Sequence, residues 1–152
     1  MKKDEILLLE NQLCFPFYAI SNAITRSYGP LLKELNLTYP QYLVLLLLWE
    51  REGRSVTDIC NSLFLKTNTL TPLLKKLEQK NLVVKRKDHL DVRKVLVFLS
   101  EEGKSLKEKA ECIPQQLIET TNMKVEDMKK LRSLLNKMMA DITQNSTKDG
   151  SS

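Results

Sequence analysis

The chain has few residues that allow sharp turns and too few cysteines to staple itself. Glycine occurs four times and proline five times in 152 residues. That scarcity, beside many Leu, Lys and Glu, favours helices over an all-β sandwich. The three cysteines, at 14, 60 and 112, are odd in number, widely spaced and without a CxxC pair. This excludes the disulfide framework of a small secreted domain and fits a reducing cytoplasm. His89 is the only histidine, so no structural zinc site is expected, and no cofactor motif is present. The longest apolar run, residues 42–49, is far short of the roughly 20 residues that a membrane span needs. The first residues lack a long apolar stretch and a small-residue cleavage site, so neither a secretory signal nor a membrane segment is expected.

What remains is the composition of a soluble domain, 42% hydrophobic and 28% charged, long enough for one substantial core. The net charge is +5, but it is unevenly placed. Residues 64–94 hold nine basic side chains against three acidic ones. A concentrated positive segment points to a polyanion partner; the alternative is a solvated surface face.

The order of elements is legible from periodicity and caps. A first helical region is expected from about Asp4 to Leu35, kinked or restarted at Pro16 and weakened at Gly29-Pro30. Thr38 is the N-cap of an all-round apolar helix over about 40–51. Ser55-Val56-Thr57-Asp58 has the outline of a capping box and opens a short helix to about Leu63. Leu70, Leu73, Leu74 and Leu77 then repeat at helical spacing, with Thr67, Asn68, Thr71, Lys75 and Lys76 on the opposite face. Two short helices joined by a tight turn form a helix-turn-helix outline. Two β-branched runs around the polar turn at residues 88–91 read as a hairpin, which directly after such a motif is a wing. Ser100 caps a further helix reaching about Thr121, with a kink at Pro114. A last helix follows over about 125–142.

The fold class is therefore mainly α with a small β-hairpin wing. The expected organisation is a helical dimerisation region over 1–37 and 100–144, a winged helix-turn-helix over 38–99 and a flexible tail over 145–152. Dimerisation is inferred from surplus apolar surface. Leu7, Leu8, Leu9, Ile113, Leu117, Ile118, Leu131, Leu134, Leu135, Met138 and Met139 exceed what a small winged core covers, and a second copy is the economical cover. A monomer with back-packed helices is the alternative.

All four tyrosines, Tyr18, Tyr28, Tyr39 and Tyr42, fall within 25 residues, just after Cys14. A phenol is a hydrogen-bond donor on a rigid apolar body, and two such donors aimed at a thiol stabilise the reactive thiolate. The clustering points to a tuned, reactive Cys14, against the plainer reading of a packed structural thiol. Leu13, Phe15 and Phe17 would surround it with an apolar rim.

These residues together resemble the MarR family of winged-helix regulators, in particular its organic-hydroperoxide-sensing branch. The resemblance rests on Leu13-Cys14-Phe15, Tyr18, Tyr28, Leu37-Thr38-Tyr39-Pro40-Gln41-Tyr42, Thr69-Leu70-Thr71-Pro72-Leu73-Leu74-Lys75, Asp91-Val92-Arg93 and Leu99-Ser100-Glu101-Glu102-Gly103, over nearly the whole chain. It implies a homodimeric, non-enzymatic, cytoplasmic repressor on a pseudo-palindromic double-stranded DNA operator, released when organic hydroperoxide oxidises Cys14. It implies that Tyr28 and Tyr39, from the other subunit, hydrogen-bond the sensing sulfur, with Tyr18 a weaker third. Cys112 becomes the candidate resolving cysteine, the alternative being a mixed disulfide with a small thiol; Cys60 reads as structural. The expected DNA contacts are Thr67, Asn68, Thr69 and Thr71 at the recognition-helix start, Lys75 and Lys76 on phosphates, and Arg86, Arg93 and Lys94 on the wing. Two other functions fit parts of the pattern: a regulator released by a small aromatic ligand, and a thiol peroxidase using Cys14.

Overall fold

The computed structural model describes residues 5–119 and 121–148. The chain divides at Pro114 into two compact units, Met1–Pro114 and Gln115–Ser152. In the first, a 3-10 turn (Leu9–Asn11) precedes α1 (Cys14–Glu34), α2 (Tyr39–Glu50), β1 (Arg54–Ser55), α3 (Val56–Leu63), α4 (Thr67–Gln79), β2 (Val83–Lys87), β3 (Val95–Leu99) and α5 (Glu101–Ala110). α6 (Ile113–Glu119) runs across the division, and α7 (Val125–Lys148) lies in the second unit.

The core of the first unit sits on α2. Tyr42, Val44, Leu45 and Leu48 are buried there with Ile59 of α3 and Leu70, Leu74 and Leu77 of α4. The apolar spacing of α4 therefore does what its period demands, turning the leucines inward and leaving Thr67, Asn68, Thr69, Thr71, Lys75 and Lys76 exposed. Ser55 accepts a hydrogen bond from the Asp58 N–H at 3.1 Å and its own N–H donates to the Asp58 carboxylate at 3.3 Å. This closes the capping box that starts α3. Those bonds hold the Asp58 carboxyl below the ordinary carboxylate range. Phe64 then turns through a left-handed conformation, φ 54°, and the Leu65 N–H bonds back to the Cys60 carbonyl at 2.9 Å, delivering the chain to α4.

The wing is a hairpin with an addition. β2 and β3 pair antiparallel, Val83 opposite Leu99 and Lys87 opposite Val95. β1 adds a third strand on the far side of β3, Arg54 opposite Val97. Gly53, at φ 70° and with a Phe98 ring carbon 3.1 Å from where a Cβ would stand, makes the approach to this strand possible. Trp49 donates from Nε1 to the Gly103 carbonyl at 2.9 Å, tying α2 to α5.

Four expectations need correction. The first helix was expected from about Asp4, but α1 begins at Cys14; of the two outcomes expected at Pro16 the restart is the one found, with Pro16 in the first turn, where a missing N–H has no partner to lose. Asp4, the expected start, lies outside the described residues. The helix also passes unbroken through Gly29-Pro30. Further on, the expected kink at Pro114 is a full break: α5 ends at Ala110, the residue whose carbonyl Pro114 cannot satisfy and would crowd. Finally, α7 continues to Lys148, so residues 145–148 of the expected tail are helical, while 149–152 lie outside the described residues. Of the apolar residues assigned to surplus surface, Ile113 is buried within the first unit, whereas Leu7, Leu9, Leu131, Leu134 and Met139 are exposed.

Candidate functional site

The phenols form a compact group. Tyr28 is on α1, and Tyr39 and Tyr42 stand three residues apart on α2, the spacing that puts side chains on one helix face. The start of α2 is fixed by the Thr38 N–H donating to Gln41 Oε1 at 3.1 Å and by Pro40 in its first turn. The Tyr28 ring lies 4.8 Å from Tyr39 and 5.9 Å from Tyr42, centre to centre, and Tyr39 and Tyr42 are 6.5 Å apart. Burial, and then the neighbouring Tyr39 and Tyr42, push Tyr28 up to about 12. Burial likewise raises Tyr39 and Tyr42 above the ordinary phenol value. All three therefore keep their protons at neutral pH and are available as donors.

Sequence reasoning counted all four tyrosines in one cluster and named Tyr28, Tyr39 and Tyr18, but not Tyr42, as partners of Cys14. Tyr18 is 69% exposed and one turn from Cys14 on α1, apart from the three packed rings. The signal for Tyr42 was its three-residue spacing from Tyr39.

Cys14, the first residue of α1, is exposed. Tyr28 follows it by fourteen residues on the same helix, about 21 Å along the axis at 1.5 Å per residue. Among the described residues no phenol of the same chain is hydrogen-bonded to its sulfur. Cys112 is also exposed, at the break between α5 and α6, with its thiol donating to the Lys109 carbonyl at 3.7 Å. It is near enough to contribute to the raised Tyr42 value. Cys60 is buried, its sulfur 3.9 Å from Thr67 Oγ1 beneath the start of α4. All three thiols are free. No group of three or more metal-ligating side chains occurs among the described residues, and no helix there is long and apolar enough to cross a membrane.

The basic surface is ordered by local bonds. Thr71 donates from its hydroxyl to the Thr67 carbonyl at 2.8 Å, leaving Asn68 and Thr69 outermost on the first turn of α4. On the wing, Asp91 accepts from both the Arg93 N–H (3.1 Å) and its Nε (3.2 Å), which orients the guanidinium; Leu90, in the same turn, is 97% exposed. Arg86 lies 5.1 Å over the Phe98 ring, and Lys85 pairs with Glu78 at 2.6 Å. An exposed polar helix start flanked by a basic hairpin is the geometry that enters a major groove while the wing reaches the neighbouring minor groove.

The family profile "Transcriptional regulator SarA/Rot" matches residues 26–110. The chain belongs to this family of MarR-type winged-helix transcriptional regulators. SarA/Rot-type regulators are DNA-binding proteins and not enzymes, which sets aside the thiol-peroxidase alternative. The chain is 45% identical over 142 residues to the "Organic hydroperoxide resistance transcriptional regulator" of Bacillus subtilis, covering 93% of this chain and 97% of that one. Among solved structures, AbfR of Staphylococcus epidermidis is similar in several states. Reduced AbfR bound to DNA matches with TM-score 0.77 at 31% identity, covering 94% of this chain and 99% of that one. Overoxidised AbfR bound to DNA matches with TM-score 0.75 at 32% identity (93% and 99%). The disulfide form matches with TM-score 0.62 at 34% identity (90% and 96%).

Proposed function

We propose that this regulator is a homodimeric repressor that holds its operator while Cys14 is reduced and leaves it when organic hydroperoxide oxidises Cys14. The observation that carries the reading is the separation of sensor from donors. Three protonated phenols are packed together, yet the exposed Cys14 stands about four turns away on the same helix. A second subunit supplies the missing juxtaposition, bringing its Tyr28 and Tyr39 to the first subunit's sulfur. The exposed apolar residues of α1 and α7, Phe15, Ile20 and Leu134 among them, support such a pairing. So does the dimeric habit of MarR-type regulators. In this reading residues 1–37 and 100–144 form the dimerisation region and 38–99 the DNA-binding region.

The chemistry balances as follows. The thiolate attacks one peroxide oxygen and the O–O bond breaks. The alkoxide leaves and takes a proton to become the alcohol, and sulfur is left as a sulfenic acid. Attack by a second thiol, Cys112 of the partner or a small-molecule thiol, then forms a disulfide and releases water. Both products have lost the sulfur's negative charge, so the phenols lose their acceptor. The overoxidised relative fits this: sulfinic and sulfonic acids are anions, as the thiolate is, and overoxidised AbfR is found on DNA. On the DNA side, Asn68, Thr67, Thr69 and Thr71 face base edges, Lys75 and Lys76 phosphates, and Arg86, Arg93 and Lys94 the wing's groove.

The test is operator binding before and after cumene hydroperoxide, for wild type and Cys14→Ser. Wild type releases and the serine variant stays bound. A serine variant that still releases on peroxide removes Cys14 from the mechanism. A second reading, release by a small aromatic ligand, is favoured by the cleft of about 290 Å³ lined by Tyr42, Leu46, Trp49 and Pro114. Release by such a ligand that is indifferent to Cys14→Ser is its signature.

A further inference from the structure

α2 is built of leucine on nearly every side, yet it buries one polar side chain. Gln41 is 1% exposed and is the only buried polar residue among those described. A buried amide is costly unless its hydrogen bonds are made, and a leucine there would serve the core without that demand. Its carbonyl oxygen accepts from two donors. One is the Thr38 N–H at 3.1 Å, at the start of α2. The other is the Lys80 ammonium at 2.9 Å. That ammonium also donates to the carbonyl of Asn36, a residue held left-handed at φ 54° in the corner between α1 and α2. Lys80 is the residue that closes α4, its own N–H bonded to the Lys76 carbonyl at 3.1 Å. Burial, and then the charge of Lys76, lower its pKa from the ordinary lysine value, as expected for an ammonium drawn into the structure by its acceptors.

One ammonium thus ties the end of the recognition helix to the corner that carries Tyr39. Tyr39 sits between Thr38 and Gln41, the two residues joined by the first of these bonds. α2 also packs on α4 through apolar side chains, but apolar contact is non-directional and lets one helix slide on another. A bond from a helix end to a fixed point on its neighbour does not.

We propose that Gln41 and Lys80 are the positioning pair through which a shift at Tyr39 reaches the recognition helix. Neither residue is among the expected DNA contacts, and the side-chain bonds they make are to Thr38, Asn36 and each other. It rests on the reading that Tyr39 responds to the oxidation of Cys14. Without the pair the sensor still reacts, and α4 no longer follows.

The experiment uses the full-length protein with a duplex operator selected in vitro for its reduced form. Gln41→Leu, Lys80→Met and Lys80→Arg are compared with wild type. Reduced affinity, the extent of Cys14 oxidation by cumene hydroperoxide (intact mass) and affinity after oxidation are measured for each. Gln41→Leu and Lys80→Met are expected to bind when reduced and to oxidise as wild type does. Their loss of affinity on oxidation should be smaller by about tenfold, an ordinary size for coupling between sites. Lys80→Arg, which keeps the donors, should restore the response. Variants that oxidise at Cys14 and release as fully as wild type overturn the proposal. A companion measurement does not depend on Cys14: amide exchange of the last turn of α4 in the reduced protein, with and without Tyr39→Ala. With the pair intact, Tyr39→Ala should speed that exchange; in the Lys80→Met background it should not. An equal response in both backgrounds, or none in either, overturns the proposal whatever Cys14 does.

Discussion

Replacing Tyr39 by phenylalanine removes one oxygen from the phenol group and leaves its packing. The ring remains 4.8 Å from Tyr28 and 6.5 Å from Tyr42, and the Thr38–Gln41 bond at the start of α2 does not involve the lost hydroxyl. The effect on Cys14 can therefore be worked as the loss of one donor. A hydrogen bond to a charged acceptor contributes about 1.5–3 kcal/mol. At about 1.4 kcal/mol per factor of ten, the thiol–thiolate balance shifts towards thiol by about 10- to 100-fold. The remaining thiolate is the stronger nucleophile, with a Brønsted coefficient of about 0.4–0.5 that offsets roughly half of this on a logarithmic scale. The net expectation is a rate of oxidation by cumene hydroperoxide about 3- to 10-fold lower. Tyr28→Phe should behave alike, and Tyr18→Phe should do less, since Tyr18 stands outside the packed group. Stopped-flow oxidation under pseudo-first-order conditions, with operator release followed by anisotropy in the same mixture, measures both consequences. If Tyr28→Phe and Tyr39→Phe both oxidise within a factor of two of wild type, the phenols are core aromatics and not donors to the sensor.

The other expectations concern stability, charge and the end state. Gly103→Ala would place a Cβ 2.0 Å from the Leu82 carbonyl oxygen; backbone must move, at about 1–3 kcal/mol, lowering Tm by roughly 3–10 °C, and an unchanged melt would refute that packing. Because Tyr28 is pushed up to about 12 from an unfolded value of 10.0, its contribution to stability is complete below pH 10 and is lost as pH rises towards 12. Tyr28→Phe should flatten, without abolishing, the fall in stability over that window, and should remove the last-ionising component of the phenolate absorbance titration. Lys75→Ala and Lys76→Ala should each reduce the slope of log affinity against log salt by about one, while Asn68→Ala should relax base preference at one position by about 1–3 kcal/mol. Under peroxide, Cys112→Ser should abolish a dimer band on a non-reducing gel that persists in Cys60→Ser; a band surviving in Cys112→Ser excludes Cys112 as the resolving thiol.

What could be read from the sequence is what depends on neighbours in sequence. The Ser55–Asp58 box, the leucine spacing of α4, the Ser100 cap and the hairpin each follow from residues a few positions apart, and each is found where its signal lies. The misses depend on residues far apart. β1 is two residues long and exists because β3, over forty positions later, offers it an edge. Gln41 was legible only as part of the Leu37–Tyr42 motif and not as a buried polar tie, since its partner Lys80 lies 39 positions away. Tyr42, not Tyr18, completes the phenol group because α1 crosses the start of α2 at Tyr28, an approach that no local period encodes. The prolines misled in a different way. Pro16 restarts the helix, one of its two expected outcomes, but Pro114 stands at a full break with α6 beginning at Ile113, and α1 runs unbroken through Pro30, where a weak point was expected.

Operator affinity compared across three states of one sulfur separates charge from oxidation as the trigger for release. Wild-type protein is prepared reduced, as the disulfide, and overoxidised to the sulfonate at Cys14, and each form is titrated against the same duplex at one salt concentration. The reduced and sulfonate forms, both anionic at sulfur, should bind within about tenfold of each other, and the neutral disulfide should bind far more weakly, by the 5- to 150-fold usual for coupled sites or more. A sulfonate form that releases as completely as the disulfide would show that oxidation as such, and not the loss of a negative charge held by the tyrosines, opens this regulator's grip on DNA.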